Sequence, residues 1–180
     1  MKFNERETRH AHVLEIARQI MTAARTAPKA KGLDILEIMT VDGGDLVTLS
    51  DKTQELGKTM NLGFMLRDAE NLLAAEAVIL IGTRESTQGL NCAHCGYSAC
   101  ADKPAAVPCA INSIDAGIAL GSACATAADL RVDSRIMFSV GLAAQKLNWL
   151  EGCKTVMAVL LSASSKNPFF DRKPNVQAVS

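Results

Sequence analysis

Residues 91–109 read NCAHCGYSACADKPAAVPC and hold Cys92, Cys95, Cys100 and Cys109, four of the six cysteines in the chain. Their spacing is C-x2-C-x4-C-x8-C. No other stretch limits the fold as much. Three sulfurs within nine residues suit a loop wrapped around an inorganic centre, and neither a helix nor a strand gathers them. Gly96, directly after the second cysteine, lets backbone pass close to such a centre. Pro104 and Pro108 stiffen the return path and keep a helix from running through it. The rest of the chain then reads as a scaffold for this loop.

Three chemistries compete for the thiols. Iron–sulfur clusters are held by cysteine thiolates, usually four. Structural zinc usually draws two C-x2-C knuckles from separate turns, and only one knuckle is present here. Structural disulfides suit secreted chains and small domains that need staples. This chain opens on the charged MKFNERETRH, with no apolar leader, and its 180 residues are enough for a sizeable core. The spacing therefore favours an iron–sulfur cluster over zinc, and zinc over ordinary thiols. The segment C-A-H-C-G-Y-S-A-C matches C-x-x-C-G-x-x-x-C. It resembles the [4Fe–4S] domains of corrinoid iron–sulfur proteins and of some membrane electron-transfer complexes. In those domains the fourth cysteine often lies farther downstream than Cys109, which makes Cys124 the substitute ligand. Cys124 sits in a helical pattern that favours packing instead. His94, between two ligands, reads as a solvent-facing loop residue.

Charge and hydropathy exclude other classes. Basic and acidic residues balance at 19 each, and no basic run marks a nucleic-acid footprint. No apolar run approaches the ~20 residues of a membrane helix. Apolar residues make up 48% but aromatics only 4%, so Ala, Leu, Ile, Val and Met must build the core. A reducing cytoplasm is the expected setting for these cysteines.

Hydrophobic periodicity predicts an amphipathic helix over residues 5–24, with Val13, Ala17, Ile20 and Ala24 on its stripe, ending before Pro28. Residues 25–31 (RTAPKAK) form a basic loop, which taken alone reads as solvated. Residues 33–41 (LDILEIMTV) read as a strand closed by the turn signal DGGD. Asp51 with Gln54 suggests a capping-box start for a helix reaching residue 75, interrupted near Gly57 and Gly63. Residues 77–82 (AVILIG) are a buried strand, and the cysteine loop leaves shortly after it. Residues 110–130 are rich in Ala and Gly and read as a long buried helix, suited to a subunit interface. Residues 131–139 are a loop and a segment of uncertain type, residues 141–150 a short helix, and residues 154–161 (KTVMAVLL) a further buried strand. The expectation is a single α+β domain over residues 1–180.

Two resemblances cover the wider pattern. RTAPKAKGLD, FMLRDAENLL, NCAHCGYSAC, DAGIALGSA, RIMFSVGLAAQ and SASSKNPFFDR together resemble a family of uncharacterised proteins with a ferredoxin-type cluster domain. The chain is also similar, more distantly, to the FMN-dependent nitroreductase fold. That resemblance implies a mixed sheet flanked by helices, with the cluster loop inserted into it. It further implies a homodimer built on the helix that opens with Asp115-Ala116-Gly117. The FMN phosphate would be bound by Arg25 and Lys29, joined by Lys166 or Arg172 from the tail. The functional expectation is a cytoplasmic iron–sulfur redox protein, flavin-dependent or serving a redox partner. The alternative is a non-enzymatic binding or sensor module stabilised by a cluster or zinc.

Overall fold

The structure, a computed structural model, describes residues 2–170. Helix α1 (Glu5–Thr26) starts on Asn4, whose side chain accepts from Arg6 N, and ends at Ala27 before Pro28. Val13, Ile16, Ala17, Ile20 and Ala24 form its buried stripe, close to the expected one. Strand β1 (Leu36–Val41) begins three residues later than the periodicity predicts. Asp34 is the reason: its Oδ1 accepts from Leu36 N and from Arg25 Nη1, so its segment turns instead of extending.

Helix α2 (Gly44–Thr59) corrects the expected start at Asp51. The helix begins inside the DGGD sequence, because Gly43 adopts φ 57°, ψ −131° as the residue before it, a conformation open mainly to glycine. Leu46, Leu49, Ser50, Thr53 and Gly57 are buried at helical spacing, and that stripe carries the helix back past Asp51. Helix α3 (Gly63–Leu72) follows a break at Asn61, which has φ 54°. The interruption near Gly63 is therefore present. Gly57 stays helical. A Cβ there would lie 3.0 Å from Met65 Cβ, so Gly57 serves the close packing of α3 on α2.

Strand β2 (Ala77–Arg84) is buried from Ala77 to Thr83. Helix α4 (Ala110–Asp129) matches the expected long helix. The segment of uncertain type resolves into strand β3 (Asp133–Met137), followed at once by helix α5 (Phe138–Lys146), three residues earlier than expected. Strand β4 (Cys153–Ser162) completes the sheet. The order is β1-β2-β4-β3, and the three pairings among the described residues are antiparallel.

Side chains alternate across the two central strands, as strand geometry requires. Ala77, Ile79, Ile81, Val159 and Leu161 face α1 and α4. Val78, Leu80, Val156, Ala158 and Leu160 face α2, α3 and α5. The fold is thus α+β, with helices on both faces of the sheet. No described helix is long and apolar enough to cross a membrane.

α5 lies almost on the backbone of β4. A Cβ at Gly141 would fall 2.1 Å from Val156 O and 2.7 Å from Met157 Cα, and a central strand cannot move aside. Gly141→Ala is expected to destabilise the protein by about 3 kcal/mol or more, the upper end for overpacking. Gly63→Ala, in open space at the first residue of α3, should cost nothing, since alanine favours helix by up to ~1 kcal/mol. Denaturant midpoints at fixed protein concentration measure both. Equal midpoints for Gly141→Ala and wild type would show that α5 does not bear on β4 in this way.

Candidate functional site

The site forms where β2 leaves the sheet. After Thr83 the pairing with β4 shifts register, and the chain turns to solvent at Arg84. It returns at Cys109, the residue before the first turn of α4. Burial alone would push the Cys109 thiol up. The backbone N–H groups of Gln88, Asn112 and Ile111, with the Lys103 ammonium, outweigh burial and hold its pKa below the ordinary thiol value. These are electrostatic contacts and not caps, since no side-chain capping bond forms at Cys109.

Between these points runs the cysteine loop. Cys100 N donates to Asn91 Oδ1 at 2.8 Å, and Asn91 N approaches Cys100 Sγ at 3.4 Å. Asn91, Ala93 and Gly96 all have positive φ, at 46°, 59° and 89°. Gly96 N donates to Ala93 O at 2.8 Å, closing a turn around Cys95. His94 lies 2.9 Å from Cys92 O through Nδ1; a carbonyl only accepts, so that nitrogen carries the proton. His94 is exposed, as the sequence suggests.

All six cysteines are free thiols. The four in the loop are half-buried, yet among the described residues no group of three or more His, Cys, Asp or Glu side chains is arranged to hold a metal ion. The donor chemistry fits a thiolate-bound centre, and this arrangement of the loop does not gather it. Cys124 packs against the core beside α1, and burial pushes its thiol up against the opposing Ser134 contact. It lies 15 residues beyond Cys109 on α4, about 22 Å along the axis at 1.5 Å per residue. Cys153 is buried, and its thiol is likewise pushed up by burial.

A set of side-chain-to-backbone bonds ties the site together. Both oxygens of the buried Asp115 accept from Ala30 N, at 3.1 and 3.2 Å. Lys31 Nζ donates to Gln88 O at 3.0 Å. Gln88 Nε2 donates to Asn112 Oδ1 at 2.9 Å, and Asn112 Nδ2 to Ser86 O at 2.6 Å. Gln88 Oε1 is buried without a partner among the described residues. Gln88 and Asn112 escaped the sequence reading, and Lys31, read there as part of the basic loop, donates to Gln88 O. The signal was there for Asn112: it lies three residues before Asp115 on an otherwise apolar helix face.

The four cations of the phosphate reading are placed unevenly. Arg25 uses Nη1 for both Asp34 Oδ1 and Leu36 O, each at 2.7 Å. Lys29 Nζ donates to the carbonyls of Arg25 and Ala27 and so closes the end of α1. Arg25 borders a shallow groove shared with Arg84, Glu85 and Ser86. Lys166 lies on the segment after β4, and Arg172 lies outside the described residues.

Residues 105–172 match a family described as an uncharacterized protein containing a ferredoxin domain. The matched stretch includes Cys109 and begins after Cys100. An uncharacterized protein of Archaeoglobus fulgidus is 39% identical over 184 residues, covering 97% of this chain and 99% of its own. Among solved structures, a Lactococcus lactis nitroreductase in complex with nicotinic acid aligns with a TM-score of 0.62 at 15% identity, covering 84% of this chain and 78% of that one. An FMN-dependent nitroreductase of Mycobacterium smegmatis in complex with NADPH gives 0.61 at 11%, covering 86% and 80%. A nitroreductase with bound FMN from Desulfitobacterium hafniense gives 0.56 at 17%, covering 92% and 85%. The fold is that of the nitroreductases.

The thiols should separate by accessibility. In native metal-free protein, an alkylating reagent is expected to label Cys92, Cys95, Cys100 and Cys109 before Cys124 and Cys153, because the reactive thiolate is disfavoured in the two packed positions. Mass spectrometry of timed digests reads this order. Labelling of Cys153 as fast as Cys95 would contradict the packing described.

Proposed function

Because the chain belongs to the family of uncharacterized proteins containing a ferredoxin domain, we propose that it is an iron–sulfur redox protein whose loop cysteines hold its metal centre. The observation that carries this reading is four free, half-buried thiols on one loop, with Cys109 held among backbone donors at the start of α4. In this reading Cys92, Cys95, Cys100 and Cys109 ligate one [4Fe–4S] cluster, and the loop closes to gather them. The nitroreductase fold adds FMN, with Arg25, Lys29, Lys166 and Arg172 as the cations that meet its phosphate. Arginine suits that task because its fork holds two oxygens at once. A cluster supplies one-electron transfer, and a flavin converts single electrons to two-electron chemistry. The protein's own part is to fix the loop through Gln88, Asn112 and Asp115 and to set how far the sulfurs meet water. The setting is a single-domain cytoplasmic protein working with a redox partner. A second reading has support in the loop's exposure: ligands that reach solvent suit a metal that comes and goes, as in a cluster- or zinc-stabilised sensor module.

Anaerobic purification and reconstitution test the reading. Wild type is expected to retain iron and sulfide in cluster proportion, and each Cys→Ser variant in the loop to lose most of it. Full iron in Cys109→Ser would sink that ligand assignment, and colourless protein with stoichiometric zinc would favour the module. FMN should bind wild type and bind Arg25→Ala about tenfold more weakly, ~1.4 kcal/mol. A wild type that takes up no FMN removes the flavin half.

Assembly follows from α4. Ile114 and Ile118 are 49% and 41% exposed, and Gly117, Gly121, Ala125 and Ala128 continue their stripe without a charge. An uncharged stripe of small and apolar residues suits a helix packed on its symmetry mate. We expect a homodimer, broken by Ile118→Asp. Light scattering that reports wild type as a monomer at micromolar concentration would rule this out.

A further inference from the structure

A cavity of about 280 Å³ opens where β2 ends, beside the cysteine loop, and Arg25 does not line it. We infer that it binds a small organic carboxylate: an apolar body against the loop, with its carboxylate toward Arg84, Lys103 and Lys154.

Size comes first. Ligand pockets commonly span ~300–1,000 Å³, so this one suits a small molecule. Its chemistry is divided. Ala105, Val107 and Pro108 give it an apolar wall from the cysteine loop. Thr83 and Asn112, 5% and 3% exposed, give it a buried polar floor. Three cations line it, from three parts of the chain, against one carboxylate, Glu85.

The cations are unequally engaged. Arg84 pairs with Glu37 on β1, which lies outside the cavity. Lys154 pairs with Glu85 at 3.1 Å, with side chains 46% and 41% exposed. Such an exposed pair is worth little, so an entering carboxylate can replace Glu85 at low cost. Among the described residues Lys103 Nζ donates to the carbonyls of Pro104 and Val107 and acts on the nearby Cys109 thiol, and no carboxylate forms an ion pair with it. A half-buried ammonium without a carboxylate partner at the mouth of an apolar cavity favours an anion. An inorganic anion would satisfy the cations and leave the apolar wall wet. A neutral apolar molecule would cover the wall and leave the ammonium without a counter-charge. A carboxylate on a short apolar body answers both.

Cys109 also lines the cavity, and Arg84, Glu85 and Ser86 are shared with the groove that Arg25 borders. The expected binding rests on the cations and the apolar wall, and iron and flavin content show separately whether the metal and FMN readings fail. The test is calorimetric titration of the full chain as purified, with iron and flavin measured on the same sample. The probes are benzoate, its neutral isostere benzamide, and inorganic phosphate. Benzoate is expected to bind saturably, with backbone amide shifts centred on Thr83, Ala105 and Asn112. Benzamide and phosphate should each bind at least about tenfold more weakly. Lys154→Met and Lys103→Met should each weaken benzoate by about fivefold, and Lys52→Met, a distant exposed lysine on α2 paired with Glu55, should not. The proposal is overturned if benzoate does not saturate, if benzamide or phosphate matches it, or if Lys52→Met weakens it as much as Lys154→Met. The comparison of probes needs only wild type, so it decides the matter even if a variant fails to fold.

Discussion

Burial of β2 on both faces is the constraint from which the fold follows. Seven consecutive residues from Ala77 to Thr83 are removed from water. Their backbone groups find partners in β1 on one side and β4 on the other, which satisfies the polar main chain. Their side chains alternate, so each face of the sheet must carry its own layer of helices. One layer approaches so closely that Gly141 meets the β4 backbone without a side chain between them. β4 is held in turn at its first residue, where Cys153 lies against Gly82. Where this run of burial stops, at Arg84, the site begins. The end of the core and the mouth of the site are set by the same few residues.

The first turns of α4 then organise what the strand releases. Cys109, Asn112 and Asp115 follow at intervals of three residues. Cys109 lies toward the backbone of Gln88 and the Lys103 ammonium, Asn112 bonds the segment leaving β2, and Asp115 bonds the turn before β1. Each buried hydrogen bond contributes only about 1 kcal/mol net. What these bonds supply is position: one helix fixes the stretch holding Arg25 and Lys29 relative to the end of the cysteine loop. Elements distant in the chain, residues 25–32 and 84–112, are thereby held in one frame.

How much of this was legible depended on which physical signal each segment carries. α1, α4, β2 and β4 were readable because amphipathic periodicity or an unbroken apolar run is a property of the segment itself. The fold family came through as well, from short motifs spread along the chain. β3 was not readable: DSRIM lies at the sheet edge with only Met137 buried, so it carries no alternation strong enough to announce a strand. The start of α2 was hidden because DGGD has turn composition, and only the tertiary burial of Leu46 and Leu49 decides that the helix begins there. Within the site, spacing named the cysteines and the loop that bears them. It could not say that Gln88 and Asn112 would be buried, because their burial is set by neighbours from other parts of the chain. The arrangement of the sulfurs was equally out of reach, since spacing fixes which thiols can meet and not the path between them.

One feature of the loop bears on the history of each molecule. From Arg84 to Ile111, Gln88 alone is buried. Nearly all the apolar surface that drives folding belongs to the frame, and the loop adds almost none. Segments with few buried contacts open at a small fraction of the free energy of global unfolding. Small metal-binding domains often lack this separation, because their ligands are also their core and the chain collapses or unravels with the ion. Here the frame can mature first, with the thiols waiting at its surface. Were the loop to take up an inorganic centre, as proposed, gaining it and losing it would be a local event that leaves the rest of the protein intact.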